Sequence, residues 1–315
     1  MKFFLFNLTK LLIIFVLSSL TLSLFVAITT YWTPKIENLT FGHISNWGNT
    51  YERSLDFKNW NKLSNKPKGV ILGSSTAYRN INSTILTQQT NINWFILGSN
   101  AQSPPVSLIL FKNLIEKTNP DYIIIDIYGG VYENNGRESA YDLINNSTFP
   151  LSLKLKLFTL VPNYHSLQIL IYRYLHEKIK GNLFIRKKKS NGKYIKGGST
   201  FTPYKRFEID KNDKLKFSRI KINKELRYII NYCDKKSIIV IINISPIIGR
   251  KQIYEIDYDK VIVNDDFNHR NDLFYDDHHM HGKGSVEYTK KLAEKLKLSK
   301  YINSFKSTNT IRGSN

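Results

Sequence analysis

The sequence predicts an α/β protein, a three-layer α/β/α sandwich around a doubly wound parallel sheet. Three observations carry that expectation. Short apolar runs rich in β-branched residues recur, and each stops at a polar or glycine-bearing turn: Lys68 to Leu72, Trp94 to Leu97, Tyr122 to Ile127 and Ser237 to Ile244. Continuous apolar runs of that length fit strands buried on both faces. Segments with apolar residues at helical spacing stand between them, and parallel neighbours need such a helix to carry the chain back. The chain has 315 residues, 42% of them hydrophobic, which is enough for one sizeable core or two small ones.

Taken in order, the first element stands apart from that core. No charged residue occurs from Leu11 to Trp32, and a helix of ~22 residues is ~33 Å long, the thickness of a bilayer's hydrocarbon. Lys2 and Lys10 precede it, so the positive-inside rule places residues 1–32 as a cytoplasmic N-terminus and single-pass anchor with the remainder extracytoplasmic. A cleaved signal peptide is the rival, and the poor small-x-small site at Phe25 to Thr29 favours the uncleaved anchor. Residues 33–67, bounded by Pro34 and Pro67 and without periodicity, read as a stalk lying against the domain, with Trp47 and Trp60 packed.

The globular domain is expected over 68–300. After the first strand, Asn82 to Gln88 reads as a short helix. Pro104 and Pro105 suit the first turn of a helix reaching Lys117, with Leu108, Phe111, Leu114 and Ile115 on one side. An insertion spans 129–214: a polar loop from Gly129 to Pro150, a helical stretch from Leu151 to Lys180, and a basic, glycine-bearing segment from Phe184 to Lys214 that reads as a mobile exposed loop. Ile220 to Lys236 is expected to be helical, Val261 to Val263 a short strand, Gly284 to Leu298 an amphipathic closing helix, and 301–315 a polar tail.

The formal charge of +21 and the run Arg186-Lys187-Lys188-Lys189 invite a nucleic-acid reading. No nucleic-acid module accompanies them, and an exported domain meets anionic head groups or acidic glycans first, so no nucleic-acid partner is expected. General enrichment in Lys, Asn and Ile explains the charge equally well. One cysteine, Cys233, excludes an intrachain disulfide and sits in an apolar helical stretch as a buried thiol.

The chemistry concentrates in two stretches. The first strand ends in Gly73-Ser74-Ser75, which makes Ser75 the candidate nucleophile, because ligands of open α/β sheets bind at the carboxyl ends of the strands. Just before the closing helix stands Asp276-Asp277-His278-His279-Met280-His281. A serine nucleophile needs an imidazole to take its proton, and the imidazole needs a carboxylate to fix its tautomer. In a tight turn Asp276 can reach Nδ1 of His279 while Nε2 points at Ser75.

Gly73-Ser74-Ser75 with Asp276-x-x-His279, and the wording Asp-x-x-His-Met-His-x-x-Gly-Ser-Val-x-Tyr-Thr from Asp276 to Thr289, resemble the SGNH hydrolases, the GDSL-like esterase superfamily. The resemblance covers Lys68 to Leu298 apart from the insertion. It implies a flavodoxin-like sheet with Ser75 as nucleophile, His279 as general base and Asp276 as its orienter, without a cofactor. It also implies an oxyanion hole built from the amides of Ser75 and Ala101 in the block Gly98-Ser99-Asn100-Ala101. The chain departs from the family in three places. Ser74 replaces the usual Asp, a variant similar to the membrane-anchored branch acting on envelope polysaccharide. Ala101 stands where a glycine is usual. The third block lacks its asparagine donor before Asn134, leaving Asn100 as one substitute.

The expected function is therefore an exported serine esterase or O-acyltransferase acting on small acyl esters such as an acylated carbohydrate of the cell envelope. A catalytically weak relative that binds glycan, or organises partners in envelope polysaccharide synthesis, is the alternative. A metal site on His278, His279, His281 and Asp276 or Asp277 is a further rival, but its spacing matches no zinc pattern and no metal is expected.

Overall fold

The computed structural model describes residues 2–32, 48–60, 66–131, 134–180, 192–205, 207–208, 216–299 and 302. Along the chain stand α1 (Lys2–Trp32), α2 (Thr50–Trp60), β1 (Lys68–Gly73), α3 (Ser75–Asn80), α4 (Ser83–Thr90), β2 (Asn93–Gly98) and α5 (Pro104–Leu110), which runs into a π-helical turn, Phe111–Ile115. Then follow β3 (Tyr122–Ile127), α6 (Arg137–Asn146), α7 (Leu151–Phe158), α8 (Tyr164–Lys180), β4 (Lys193–Ile195), β5 (Ser199–Phe201), β6 (Lys216–Lys221), α9 (Lys224–Lys235), β7 (Ile239–Ile244), β8 (Arg250–Glu255), β9 (Val261–Val263) and α10 (Gly282–Leu298).

The apolar runs pair as parallel neighbours in a five-stranded sheet of order β2-β1-β3-β7-β9. Alternate residues of each strand face opposite sides, so each strand feeds two cores. Val70, Leu72, Ile123, Ile125, Val240 and Ile242 join the core that contains Val106, Leu110, Leu143, Leu153 and Ile229. Ile71, Ile96, Ile124 and Ile241 join the other, with Ala77, Leu86, Tyr288 and Leu292. Helices thus cover both faces, the three-layer architecture expected. Cys233 is fully buried in the first core, and burial pushes its thiol up to about 12.

The chain steps from β1 outward to β2 and then returns past β1 to β3. The crevice beyond the carboxyl ends of β1 and β3 is therefore the point where strand order reverses, the place such sheets reserve for ligands.

Several segments differ from expectation. Residues 50–60 of the stalk form α2, which lays Phe57 and Trp60 against Phe95; Trp47 lies outside the described residues. The polar loop from Gly129 to Pro150 contains α6. Its buried face carries polar groups, Ser139, Asp142, Asn145 and Asn146, which conceals it from an apolar periodicity count. The helix expected from Ile220 starts at Lys224, because Ile220 belongs to β6, which pairs with β8 in a separate two-stranded parallel sheet.

The largest difference falls in the basic segment. Residues 193–202 form a hairpin docked on the sheet edge, with Ser199, Thr200 and Thr202 all buried. The Ile96 amide donates to the Gly197 carbonyl at 2.9 Å, closing the open edge of β2. Gly198 makes this approach possible. Its φ is +96°, and a Cβ there would stand 2.2 Å from the Ile96 carbonyl oxygen. Arg186 to Lys189 lie outside the described residues.

At the N-terminus α1 includes an apolar window, Phe4–Leu22, of mean hydropathy 1.9 and almost entirely exposed. It starts nearer the N-terminus than the charge-free run implied. By length and composition it fits a membrane span or a signal sequence.

Candidate active site

The turn after β1 is built from small residues because three chain segments converge there. A Cβ on Gly73 would lie 2.8 Å from the Cβ atoms of Ala77 and Asp126, and one on Gly98 would lie 2.8 Å from the Gly73 carbonyl. Ser74 caps α3 with its hydroxyl, and Ser75 opens the helix with 9% of its surface exposed. Beneath them runs a buried polar chain. Ser74 Oγ and Thr76 Oγ1 are 3.2 Å apart, and Thr76 donates to Asp126 Oδ2 at 2.7 Å. Asp126 Oδ1 accepts from Asn243 at 2.6 Å and Ser245 at 2.7 Å. Burial pushes the Asp126 carboxyl up to about 6 against these three bonds. A carboxylate in place of Ser74 would sit one hydroxyl away from Asp126, which gives a physical reason for serine at that position.

Asp276 holds its own turn closed. Its Oδ1 accepts from the backbone amides of His278 and His279, at 3.1 and 2.7 Å, and its Oδ2 lies 2.8 Å from His279 Nδ1. Burial alone would raise the Asp276 carboxyl, but the hydrogen bond and charge of His279 and the charge of His278 outweigh it and hold the group well below the ordinary carboxylate range. His279 is pushed down to about 4, first by burial and then by neighbouring His278, against the opposing pull of Asp276. At neutral pH the pair is a carboxylate and a neutral imidazole with Nδ1–H donating. Nε2 is then the basic lone pair. That atom is buried and has no hydrogen-bond partner among the described residues.

The other two histidines have different work. His281 caps α10, accepting from the Gly284 amide, and its Nε2 bonds the Asp272 carbonyl at 2.7 Å. His278 pairs with Asp277 and stacks on Tyr128 with ring centres 5.5 Å apart. Asp276, His278 and His279 place ligand atoms within 4.8 Å of one another, the only potential metal-holding group among the described residues. Both Nδ1 atoms and the Asp276 oxygens are already engaged, Nδ1 of His278 with Asp277 and Nδ1 of His279 with Asp276.

Asn80, the last residue of α3, ties the two halves together. Its Nδ2 donates to the His278 carbonyl at 2.9 Å and its Oδ1 accepts from the Met280 amide at 2.8 Å, so one side chain grips the chain on both sides of His279. The Asn82 amide adds a bond to Thr289 Oγ1 at 2.8 Å. The Ser75 helix and the His279 loop are therefore neighbours at one edge. No hydrogen bond joins the Ser75 hydroxyl to His279 among the described residues.

Of the expected oxyanion residues, Ser75 opens α3, Gly98 ends β2, and Asn100 and Ala101 lie on the turn after it. Ala101 has φ +47°, in the left-handed region where glycine is preferred. Gly98 spends its carbonyl on Arg53 Nη1 at 2.9 Å. Asn100 turns Oδ1 onto the Tyr78 hydroxyl, which leaves Nδ2 as the end of that amide able to donate. Asn134 is engaged through Oδ1 with the Gly136 amide at 2.8 Å.

Asn80, Arg79, Asp126 and Thr202 were not singled out from sequence. An asparagine or arginine at the end of a six-residue helix carries no periodic signal, and Thr202 lies in the segment read as a loop.

Fold and site together define a doubly wound α/β protein with an oriented His–Asp pair and a serine-bearing helix at its switch-point edge. No family model matches the chain, and no curated protein matches it. Among solved structures, one of a protein assigned to the G-D-S-L lipolytic family from Desulfitobacterium hafniense DCB-2 aligns over 72% of this chain and 98% of its own, with 13% identity and a TM-score of 0.25. At those values the likeness bears on the chemistry of neither protein.

Proposed function

We propose that this protein is a serine ester hydrolase or O-acyltransferase, with Ser75 as nucleophile, His279 as general base and Asp276 as the carboxylate that fixes the imidazole. The observation that carries the reading is His279 itself: Nδ1 engaged by a carboxylate, Nε2 buried and unengaged, on a loop held to the Ser75 helix by Asn80. In the reaction the Ser75 oxygen bonds to the ester carbonyl carbon as its proton moves to Nε2. The alkoxide then leaves with that proton, and an acyl-enzyme forms. Water as acceptor completes hydrolysis, and a sugar hydroxyl completes transfer. Apo catalytic bonds commonly close only with substrate present, so the unengaged Nε2 is compatible with the role. The amides of Ser75 and Ala101, with Asn100, are the proposed oxyanion donors.

The proposed substrates are small acyl esters of envelope polysaccharide, reached by a domain that α1 holds outside the membrane with its N-terminus in the cytoplasm. The missing Ser75–His279 bond favours one second reading, a catalytically silent relative that binds glycan. Labelling with a neutral fluorophosphonate separates the two. Label that disappears in Ser75→Ala and His279→Ala supports the enzyme, and absence of label on the folded full-length protein refutes it.

A further inference from the structure

Arg79 stands one helical turn after Ser75 on α3, and residues four apart on a helix are side-chain neighbours. Only 8% of its surface is exposed. Its Nη1 donates to Thr202 Oγ1 at a long 3.3 Å, its guanidinium lies 5.8 Å from the Tyr78 ring, and its Nε is buried without a partner among the described residues. No carboxylate forms a salt bridge with it among the described residues. Both oxygens of Asp276, on the loop that Asn80 holds, are committed to His278 and His279.

Arg53, one of two other buried arginines among the described residues, shows the contrast. Arg53 satisfies its donors with the Gly198 and Gly98 carbonyls and Thr200. A buried cation without a counter-charge is unfavourable, and the cost is retained only where something offsets it. Ser75 precedes Arg79 by one turn and the adjacent Asn80 holds the His279 loop, so a group that pairs with Arg79 lies at the same edge as both.

We propose that Arg79 is a specificity-determining residue that receives an oxyanion, a carboxylate or phosphate, carried by the ester substrate beside the scissile bond. This rests on the esterase reading and narrows its substrate class to anionic esters. A guanidinium suits that task because its fixed donor fork matches both groups. The hairpin residue Thr202 orients it, which gives the docked segment 193–202 a part in substrate choice.

The test measures kcat/KM of the full-length protein in detergent for 4-nitrophenyl acetate, for the mono-4-nitrophenyl ester of succinate, which is charged on the acyl side, and for 3-carboxy-4-nitrophenyl acetate, which is charged on the alcohol side. The ratio of anionic to neutral ester is independent of the folded fraction of a preparation. In Arg79→Gln that ratio should fall at least about tenfold for one of the two anionic esters, mainly through KM, as expected for loss of one charge-assisted contact, and Arg79→Lys should retain part of it. The ester that responds identifies which side of the bond carries the charge. Ratios unchanged for both esters in Arg79→Gln would overturn the inference while leaving the esterase reading intact. A wild-type protein that neither turns over any ester nor takes the fluorophosphonate label would overturn the esterase reading and this inference with it.

Discussion

Replacing Asn80 with alanine should loosen the proposed catalytic geometry and the fold together, because that one side chain satisfies two groups flanking His279. Asn80 and Met280 are both fully buried. The substitution strands the Met280 amide and the His278 carbonyl, whose bonds to Asn80 measure 2.8 and 2.9 Å. Each orphaned buried group costs about 1–3 kcal/mol, so the pair should cost about 2–4 kcal/mol after partial rehydration at the half-buried His278 end. For a chain of this size that corresponds to a fall of about 3–6 °C in Tm. The chemistry should suffer separately. The His279 loop loses its tie to the Ser75 helix, and misplacement by about 1 Å at a reacting centre costs on the order of a hundredfold in rate. Differential scanning fluorimetry and the second-order rate of fluorophosphonate labelling, both on the full-length protein, read the two effects. Asn80→Asp keeps the acceptor for Met280 and removes the donor to His278, so it should fall between wild type and alanine in Tm. If Asn80→Ala melts within about 1 °C of wild type and labels at the wild-type rate, the tie between the two loops is not what positions His279.

Two further outcomes follow from the same site. His279 is held down to about 4 by burial and by His278, and only the neutral ring can accept the serine proton. Labelling should therefore persist well below the ordinary imidazole range and halve near pH 4, whereas a midpoint near 6.5 would contradict the buried environment described here. Because the folded value lies below the unfolded one, the stability linked to this group is complete above about 6.5 and is lost as pH falls through about 4, so the acid limb must be read beside a fold probe such as circular dichroism. At the sheet edge, Gly198→Ala adds a Cβ 2.2 Å from the Ile96 carbonyl oxygen at a φ of +96°. It should lower the urea midpoint by more than about 1 kcal/mol equivalent, and an unchanged midpoint would mean that the hairpin does not close the edge of β2.

The architecture was legible because its signals are local. Four apolar runs, each ended by a turn, require a parallel sheet whatever the rest of the chain does, since strands buried on both faces need helices above and below. The same locality brought Asp276 and His279 together on paper, three residues apart in one turn, where they stand at 2.8 Å. Polar burial escaped the sequence. α6 hides behind Asp142, Asn145 and Asn146, and the basic hairpin hides behind glycines whose positive φ serves a docked edge and not a free loop.

By itself, then, the sequence determined the runs that become β1, β2, β3, β7 and β9, the edge where their carboxyl ends fall and the residue types that gather there, because hydrophobic periodicity and turn chemistry act over a few residues; β4, β5, β6 and β8 escaped it. Only the tertiary structure decided which side chains share a pocket. Asn80 gripping the His279 loop from 200 residues away, Thr202 reaching Arg79 and Asp126 under Ser75 are long-range contacts. Each is set by how two cores settle against one twisted sheet, and no short stretch of sequence encodes that geometry.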